Sequence, residues 1–415
     1  MRDRHVLQPA CGRTLERVAV GSTEEERPLS GRAIGGLAVV VAISVANGYY
    51  VQPLLIVIAG AIELPHGSVG LLPALSQIGL ALGLVTLLPL ADVYPTRRVL
   101  LIVLPLQIAA VAIVANGRDA FTIMAGFLAI GIFGIAPYAL PPYASLNVSS
   151  QRLGPVTGIL AAAVICGILL ARSLAGVVAV NFGWRWVYAF AAIATAFAII
   201  IVVRVVRPQR PAAKIGYRQL AQSLAGMLRS EPALRTAAIC QALSFGSFNV
   251  FWLGSTLYLH GHFGWKPDAI GYAGLLGALA AFCSPLFGRA TTRFGSRPTR
   301  LVALATVVVA WAVLAVLRGS LAGMAIGLVA LNLGAVASDI ANRTILYELT
   351  PNIRTRLNAV YTIVMFAGGA VMSTLVGVFW AWEAWLGVCA LGAASASASV
   401  FVAFGAQRRT ARKRN

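Results

Sequence analysis

Long apolar runs separated by short polar clusters recur along the chain from residue 33 to residue 405. Their lengths predict helices at 33–60, 68–90, 98–116, 120–147, 155–180, 184–204, 234–260, 267–287, 299–317, 321–342, 357–380 and 384–405. A helix needs about 20 apolar residues to cross the hydrocarbon of a bilayer, and nearly every run meets that length. After the first 32 residues, the longest polar interruption runs from Arg204 to about Pro232 and separates six helices from six. The expected organisation is a tail at 1–32, a six-helix bundle at 33–205, a linker at 206–232, a second six-helix bundle at 233–405 and a basic tail at 406–415. Within the linker, QLAQSLAGMLR has the pattern of an amphipathic helix lying on a membrane surface.

Composition supports a membrane rather than a soluble fold. Of 415 residues, 59% are hydrophobic and 11% charged, whereas soluble domains carry about 25% charged residues. Apolar side chains that face outward as well as inward are tolerated only where lipid replaces water. The fold class is therefore an all-α membrane protein of twelve transmembrane helices in two pseudo-symmetric bundles.

The formal net charge of +20 invites a nucleic-acid reading until the basic residues are placed. On the side that holds both termini lie 28 of the 33 Lys and Arg, and on the other side four: Arg118, Arg185, Lys266 and Arg318. Arg172 alone falls within a helix. The positive-inside rule makes the terminal side cytoplasmic. The charge thus orients the chain and meets anionic lipid headgroups, so no nucleic-acid partner is needed. No apolar stretch in the first 30 residues suggests a cleaved signal peptide. Five cysteines without a CxxC pair support neither a disulfide framework nor a metal site.

The two halves resemble each other. PLADVYPTRRVLL after the second helix parallels GRATTRFGSRPTRL after the eighth, with Asp92 and Thr292 200 residues apart. YASLNVSSQRLGPVTGI parallels YELTPNIRTRLNAVYTI at an offset of 204. Duplicated bundles with a site between them near the midplane are the architecture of alternating-access carriers.

At these loops the chain resembles the major facilitator superfamily, whose signature between helices 2 and 3 is roughly G-x-x-x-D-R-x-G-R-R. LPLADVYPTRR keeps Asp92, Arg97 and Arg98, and FGRATTRFGSR keeps Gly288, Arg293, Gly295 and Arg297, with Thr292 in place of the acid. YVQPLL, PYASL, GILLARSLAGVV, GWRWVY and RLNAVY are similar to a bacterial branch described as arabinose-efflux and acriflavine-sensitivity transporters. The resemblance implies the fold of that superfamily and gating roles for Asp92, Arg97, Arg98, Arg293 and Arg297. In particular, Asp92 would latch the halves by facing the partly positive N-terminus of helix 11. Two departures stand out: Ala171-Arg172 replaces the Gly-Pro usual in helix 5 of proton-driven exporters, and Asn47 stands where many carry an acid.

Arg172 lies deep in the fifth helix. A cation there costs about 2.5–3.5 kcal/mol on insertion scales, so it faces the bundle interior and holds a partner or an anionic substrate group, unless it snorkels to the outer headgroups. Asp339, the one acid inside a helix away from the ends of helices 1 and 2, is a coupling candidate or a local i,i+4 partner of Arg343. Candidate cavity residues are Asn47, Tyr50, Gln52, Tyr138, Arg172, Gln241, Asn249, Trp252 and Asn332, although amides buried in hydrocarbon also glue helices to each other. His260 and His262 read as an interfacial loop. No nucleotide-binding loop, HExxH or Ser–His–Asp set is present, so neither an enzyme, a cofactor nor ATP drive is expected. The expected function is secondary transport of a small organic solute across a bacterial inner membrane, with both termini cytoplasmic and one chain sufficient. Proton-coupled efflux is the first reading. Uptake or facilitated diffusion of a sugar or metabolite is the second, and a membrane-embedded enzyme the more distant third.

Overall fold

The computed structural model describes residues 29–208, 226–348 and 354–412, and among these residues every regular element is a helix. The expected tail at 1–28, most of the amphipathic segment QLAQSLAGMLR and the loop at 349–353 lie outside the described residues. Ten helices among the described residues are long and apolar enough to cross a membrane.

The first expected helix is broken in two. Helices α1 (Gly31–Ala46) and α2 (Val51–Ala61) are separated by a turn over Asn47–Tyr50. Gly48 weakens a helix, and Pro53 has no N–H for the Tyr49 carbonyl, so Gln52 N–H takes that oxygen in a tighter turn, 3.2 Å away. The shorter α3 (Leu71–Thr86) follows, then α4 (Leu90–Val93) and α5 (Thr96–Asn116). The fourth expected helix is likewise two pieces, α6 (Ala120–Ile132) and α7 (Ala136–Leu146), with Gly134 and Pro137 at the break. Helices α8 (Ser150–Phe182) and α9 (Trp184–Val205) are joined by Gly183 at φ 94°, a left-handed conformation that only glycine adopts cheaply.

After the linker come α10 (Pro232–Phe263), α11 (Pro267–Ala273), a 3-10 turn at Gly274–Gly277, α12 (Ala278–Phe294), α13 (Ser296–Val316) and α14 (Leu321–Tyr347). The last helix, α15 (Arg354–Arg412), is non-helical at Glu383 and Ala384 and supplies two passes. Its two limbs flank α10 in opposite directions. Gln241 and Gly246 meet Met365 and Met372, whereas Ser247, Leu243 and Cys240 pair with Gly392, Ser395 and Ser399. The chain therefore doubles back at Ala384, and twelve passes result.

Within residues 31–205, α1 packs on α8 and α9, α3 on α6, and α5 on α9; within 232–412, α10 packs between α14 and α15, and α13 on α14. A Cβ on Gly131 would overlap the Ser76 carbonyl, so α3 and α6 are in backbone contact. Large apolar residues such as Phe121, Phe282 and Phe401 stand outward and uncovered, the surface a lipid-facing helix presents. Across the two halves, α3 meets the first limb of α15, α8 meets α11, and α2 meets α10.

Candidate substrate cavity

The tight turn after α1 brings polar side chains to the seam between the halves. A small cavity of about 40 Å³ lies there, lined by Ser44, Tyr49, Gln52, Gln77 and Tyr138 of the first half, with Phe366 of α15 the lining residue from the second. Tyr138 meets Phe366 edge-on at a centroid distance of 6.1 Å. No Asp or Glu is among the residues that line it.

Beside this cavity sits Arg172. It is only 3% exposed, so it does not snorkel. Its Nε donates to Gln52 Oε1 at 2.7 Å, and its guanidinium lies 3.8 Å from the ring centroid of Trp252 in the opposite half. Tyr49 is 5.7 Å away. The Nη2 of Arg172 has no hydrogen-bond partner among the described residues. Thr256 of α10 donates to the Gln52 carbonyl at 3.2 Å, so Gln52 meets the opposite half through its backbone while its side chain holds Arg172.

A second polar bridge crosses the seam one step along. Gln77 Nε2 donates to Asn249 Oδ1 at 2.9 Å and approaches Ser373 Oγ at 3.4 Å. Around both bridges, the halves touch through glycines. A Cβ on Gly176 would overlap the Pro267 carbonyl, and one on Gly271 would overlap the Arg172 carbonyl. These contacts lie at the end of the molecule away from the termini, and they close it. At the other end the first turns of α8 are uncovered among the described residues, whereas Leu84, Met365 and Phe366 pack together across the seam. Gln151–Pro155, five consecutive residues, are exposed, so no face of that turn is covered.

Toward the end that holds the termini, Asp339 forms an ion pair with Arg343 at 2.9 Å and accepts from the Tyr361 hydroxyl at 2.7 Å. Arg343 also bonds Asn358, so α14 and α15 share one charged knot. It is the one ion pair among the described residues.

The other sequence candidates have definite places. Gln52 and Tyr138 line the cavity, and Trp252 lies under Arg172. Asn249 is in the second bridge. Asn332 bonds the Leu328 carbonyl of its own helix and stands close to Gly277, itself near Trp252. Asn47 instead donates to Thr195 within its own half, Tyr50 packs edge-on against Tyr188, and Gln241 accepts from Asn342 inside the second half. Of the expected gating residues, Arg97 donates to the Val203 carbonyl, Arg293 stacks on Phe294, Arg98 is exposed and Arg297 half-buried. The Asp92 side chain lies outside the described residues. His260 bonds the Trp265 carbonyl and His262 stacks on Tyr258.

Several seam residues were absent from the sequence reading. Gln77 is an amide in the middle of an apolar helix, the same signal that singled out Gln52, and would have been found by applying it evenly. Tyr49, Thr256, Ser373, Asn358 and Tyr361 carry no such signal, because hydroxyls and a helix-end amide are common in membrane helices. Arg300, 3% exposed and bonded to Asn342 and the Ala403 carbonyl, reads in sequence as one more loop cation.

Two related helical bundles packed on each other with a cavity at their seam form a carrier architecture. The sequence matches the Major Facilitator Superfamily over residues 37–373 and 237–415, and the chain belongs to that family of transporters. It is 30% identical over 381 residues to the uncharacterized transporter YgaY of Escherichia coli O157:H7, covering 92% of this chain and 97% of that one. Its fold is similar to a crystal structure of the nucleoside transporter NupG, with a TM-score of 0.71 at 13% identity over 90% of this chain and 99% of that chain. It is also similar to an inward-facing, unoccupied bacterial homolog of the human lysosomal transporter Spinster, with a TM-score of 0.70 at 14% identity over 92% and 95% of the two chains.

Proposed function

We propose that this transporter exports a small organic solute across the bacterial inner membrane in exchange for protons, by rocking of its two halves. The observation that carries the reading is the seam cavity beside Arg172, closed at one end and continuous in character with the charged knot of Asp339 nearer the other. The basic residues crowd the side of the termini, which supports a cytoplasmic location for that end. With that orientation, the end with the exposed first turns of α8 faces the cytoplasm, where an exported solute is collected. Asp339 is an acid inside a spanning helix, held by groups that a proton would release, and so is the candidate for coupling. Resemblance to the efflux branch supports the outward direction. Asp92, Arg97, Arg98, Arg293 and Arg297 are the candidate latch at the cytoplasmic ends. One chain supplies the whole pathway, so the monomer suffices.

The test is flux in inverted vesicles containing the full chain, with an acid-inside gradient imposed and a panel of labelled organic acids, dyes and sugars outside. Gradient-driven accumulation of a solute in the lumen supports proton-coupled export. Flux that ignores the gradient removes the proton, and accumulation only in right-side-out vesicles reverses the direction.

A further inference from the structure

The seam holds a cation whose hydrogen-bonding edge is half used. In a planar guanidinium, the Nε–H and the outer Nη2–H lie side by side on one edge, spaced to meet the two oxygens of a carboxylate. In this protein, Gln52 fills that edge with a single carbonyl oxygen, 2.7 Å from Nε, and Nη2 is left buried without a partner. A buried donor left unmade is costly, and a charged one more so. No described carboxylate lies within ion-pair distance of Arg172. Arg300, also buried and with its Nε likewise unmade, binds an amide and a backbone carbonyl within one half. Arg172 instead spans both halves and stands directly behind a cavity wall, because Gln52 and Tyr49 both line the cavity.

We infer that the Nε–Nη2 edge of Arg172 is the anchor for the anionic group of the transported solute, and that the solute is a small organic carboxylate with a flat apolar body. This rests on the carrier reading and narrows it. The carboxylate displaces the Gln52 amide and takes both donors, replacing one neutral hydrogen bond with a bidentate charged pair. Trp252 covers the face of the guanidinium and keeps its plane fixed, so the edge is presented without reorganisation. The cavity of about 40 Å³ widens on binding, and the body of the solute then lies among Tyr49, Tyr138 and Phe366 on its wall. A cavity with one adjacent cation and no lining carboxylate does not suit a cationic compound.

The experiment is equilibrium binding to the purified full-length protein in detergent, read by thermal shift and calorimetry. The probes are benzoate, salicylate and indole-3-acetate, each paired with its uncharged amide. At least one acid stabilises the protein while its amide does not. Arg172→Lys keeps the charge but loses the planar edge, and weakens that acid at least about tenfold. Gln52→Ala removes the competitor for Nε and tightens the acid by about tenfold. This gain is one that a misfolded variant cannot mimic. Amides that bind as well as acids, no acid that binds, or Gln52→Ala that weakens binding would each overturn the assignment. The carrier reading fails separately: an acid that binds but never crosses the vesicle membrane leaves the anchor standing and removes transport. Conversely, a neutral solute carried equally well by Arg172→Gln leaves transport standing and removes the anchor.

Discussion

Gly70 rests against the backbone of Ser373 in the opposite half, so closely that a Cβ on Gly70 would overlap the Ser373 carbonyl oxygen. The contact brings the start of α3 against the first limb of α15 at the sealed end. A contact this close between the halves is a lever on the conformational equilibrium. Overpacking of this kind costs about 1–3 kcal/mol, and about 1.4 kcal/mol moves a two-state ratio tenfold. Gly70→Val is therefore expected to favour opening at the end away from the termini. The readout is thiol labelling of a cysteine placed at buried Ser173, in a background without the five native cysteines. Labelling rises about tenfold over the Gly70 parent. Equal rates in the two would mean that the seal forms without this contact.

The knot at Asp339 predicts a separation of exchange from coupling. Asp339→Asn removes the acid but keeps the shape and the Tyr361 hydrogen bond. Solute exchange at equal concentrations persists, whereas accumulation driven by a pH gradient falls at least about tenfold. A variant that still concentrates solute as the parent does would clear Asp339 of the coupling role.

Trp311 is fully buried between α10 and the second limb of α15, with its Nε1 donating to Ser247 at 2.7 Å. Trp311→Ala is expected to cost about 3 kcal/mol in folding stability. The value sits at the low end for aromatic truncation because lipid tails already offer the ring an apolar solvent. Unfolding in mixed micelles measures it, and a loss below about 1 kcal/mol would mean that the site collapses around the smaller side chain.

Asp119 caps α6, accepting from the Thr122 N–H at 2.9 Å and from the Thr122 hydroxyl at 2.7 Å. The Thr122 hydroxyl, then its backbone N–H, hold the Asp119 carboxyl below the ordinary carboxylate range. Because the folded value is depressed, the cap stabilises at neutral pH and loses its contribution as pH falls through that value. Asp119→Ala should lower the melting temperature at pH 7, with the gap to the parent closing in acid. A gap independent of pH would place the effect in packing rather than in the charge.

Much of this architecture was legible because bilayer thickness and charge placement leave few choices. The apolar runs give the passes, and the i,i+4 spacing of Asp339 and Arg343 forms the ion pair that it allows. Burial of Arg172 follows from the cost of placing it in lipid. The spans at 33–60 and 120–147 are present, each with an internal turn that apolar periodicity does not reveal. Pro53 and Pro137 mark both breaks, but a proline inside a membrane helix is as compatible with a bend as with a break. Partners across the seam were the least legible. Whether Asn47 would reach the cavity or Thr195 depends on helix rotation, which the sequence pattern of an all-apolar helix hardly constrains.

The joint at Asn47–Tyr50 also makes the two halves mechanically unequal. Its counterpart α10 is an unbroken helix of 32 residues, clasped on two sides by the limbs of α15. One half thus owns an elbow at the height of the solute, and the other presents a stiff rod. The likeness of their sequences is thus not matched in their helices: the turn at Asn47–Tyr50 has no counterpart in α10, and it stands beside Gln52 at the cavity wall.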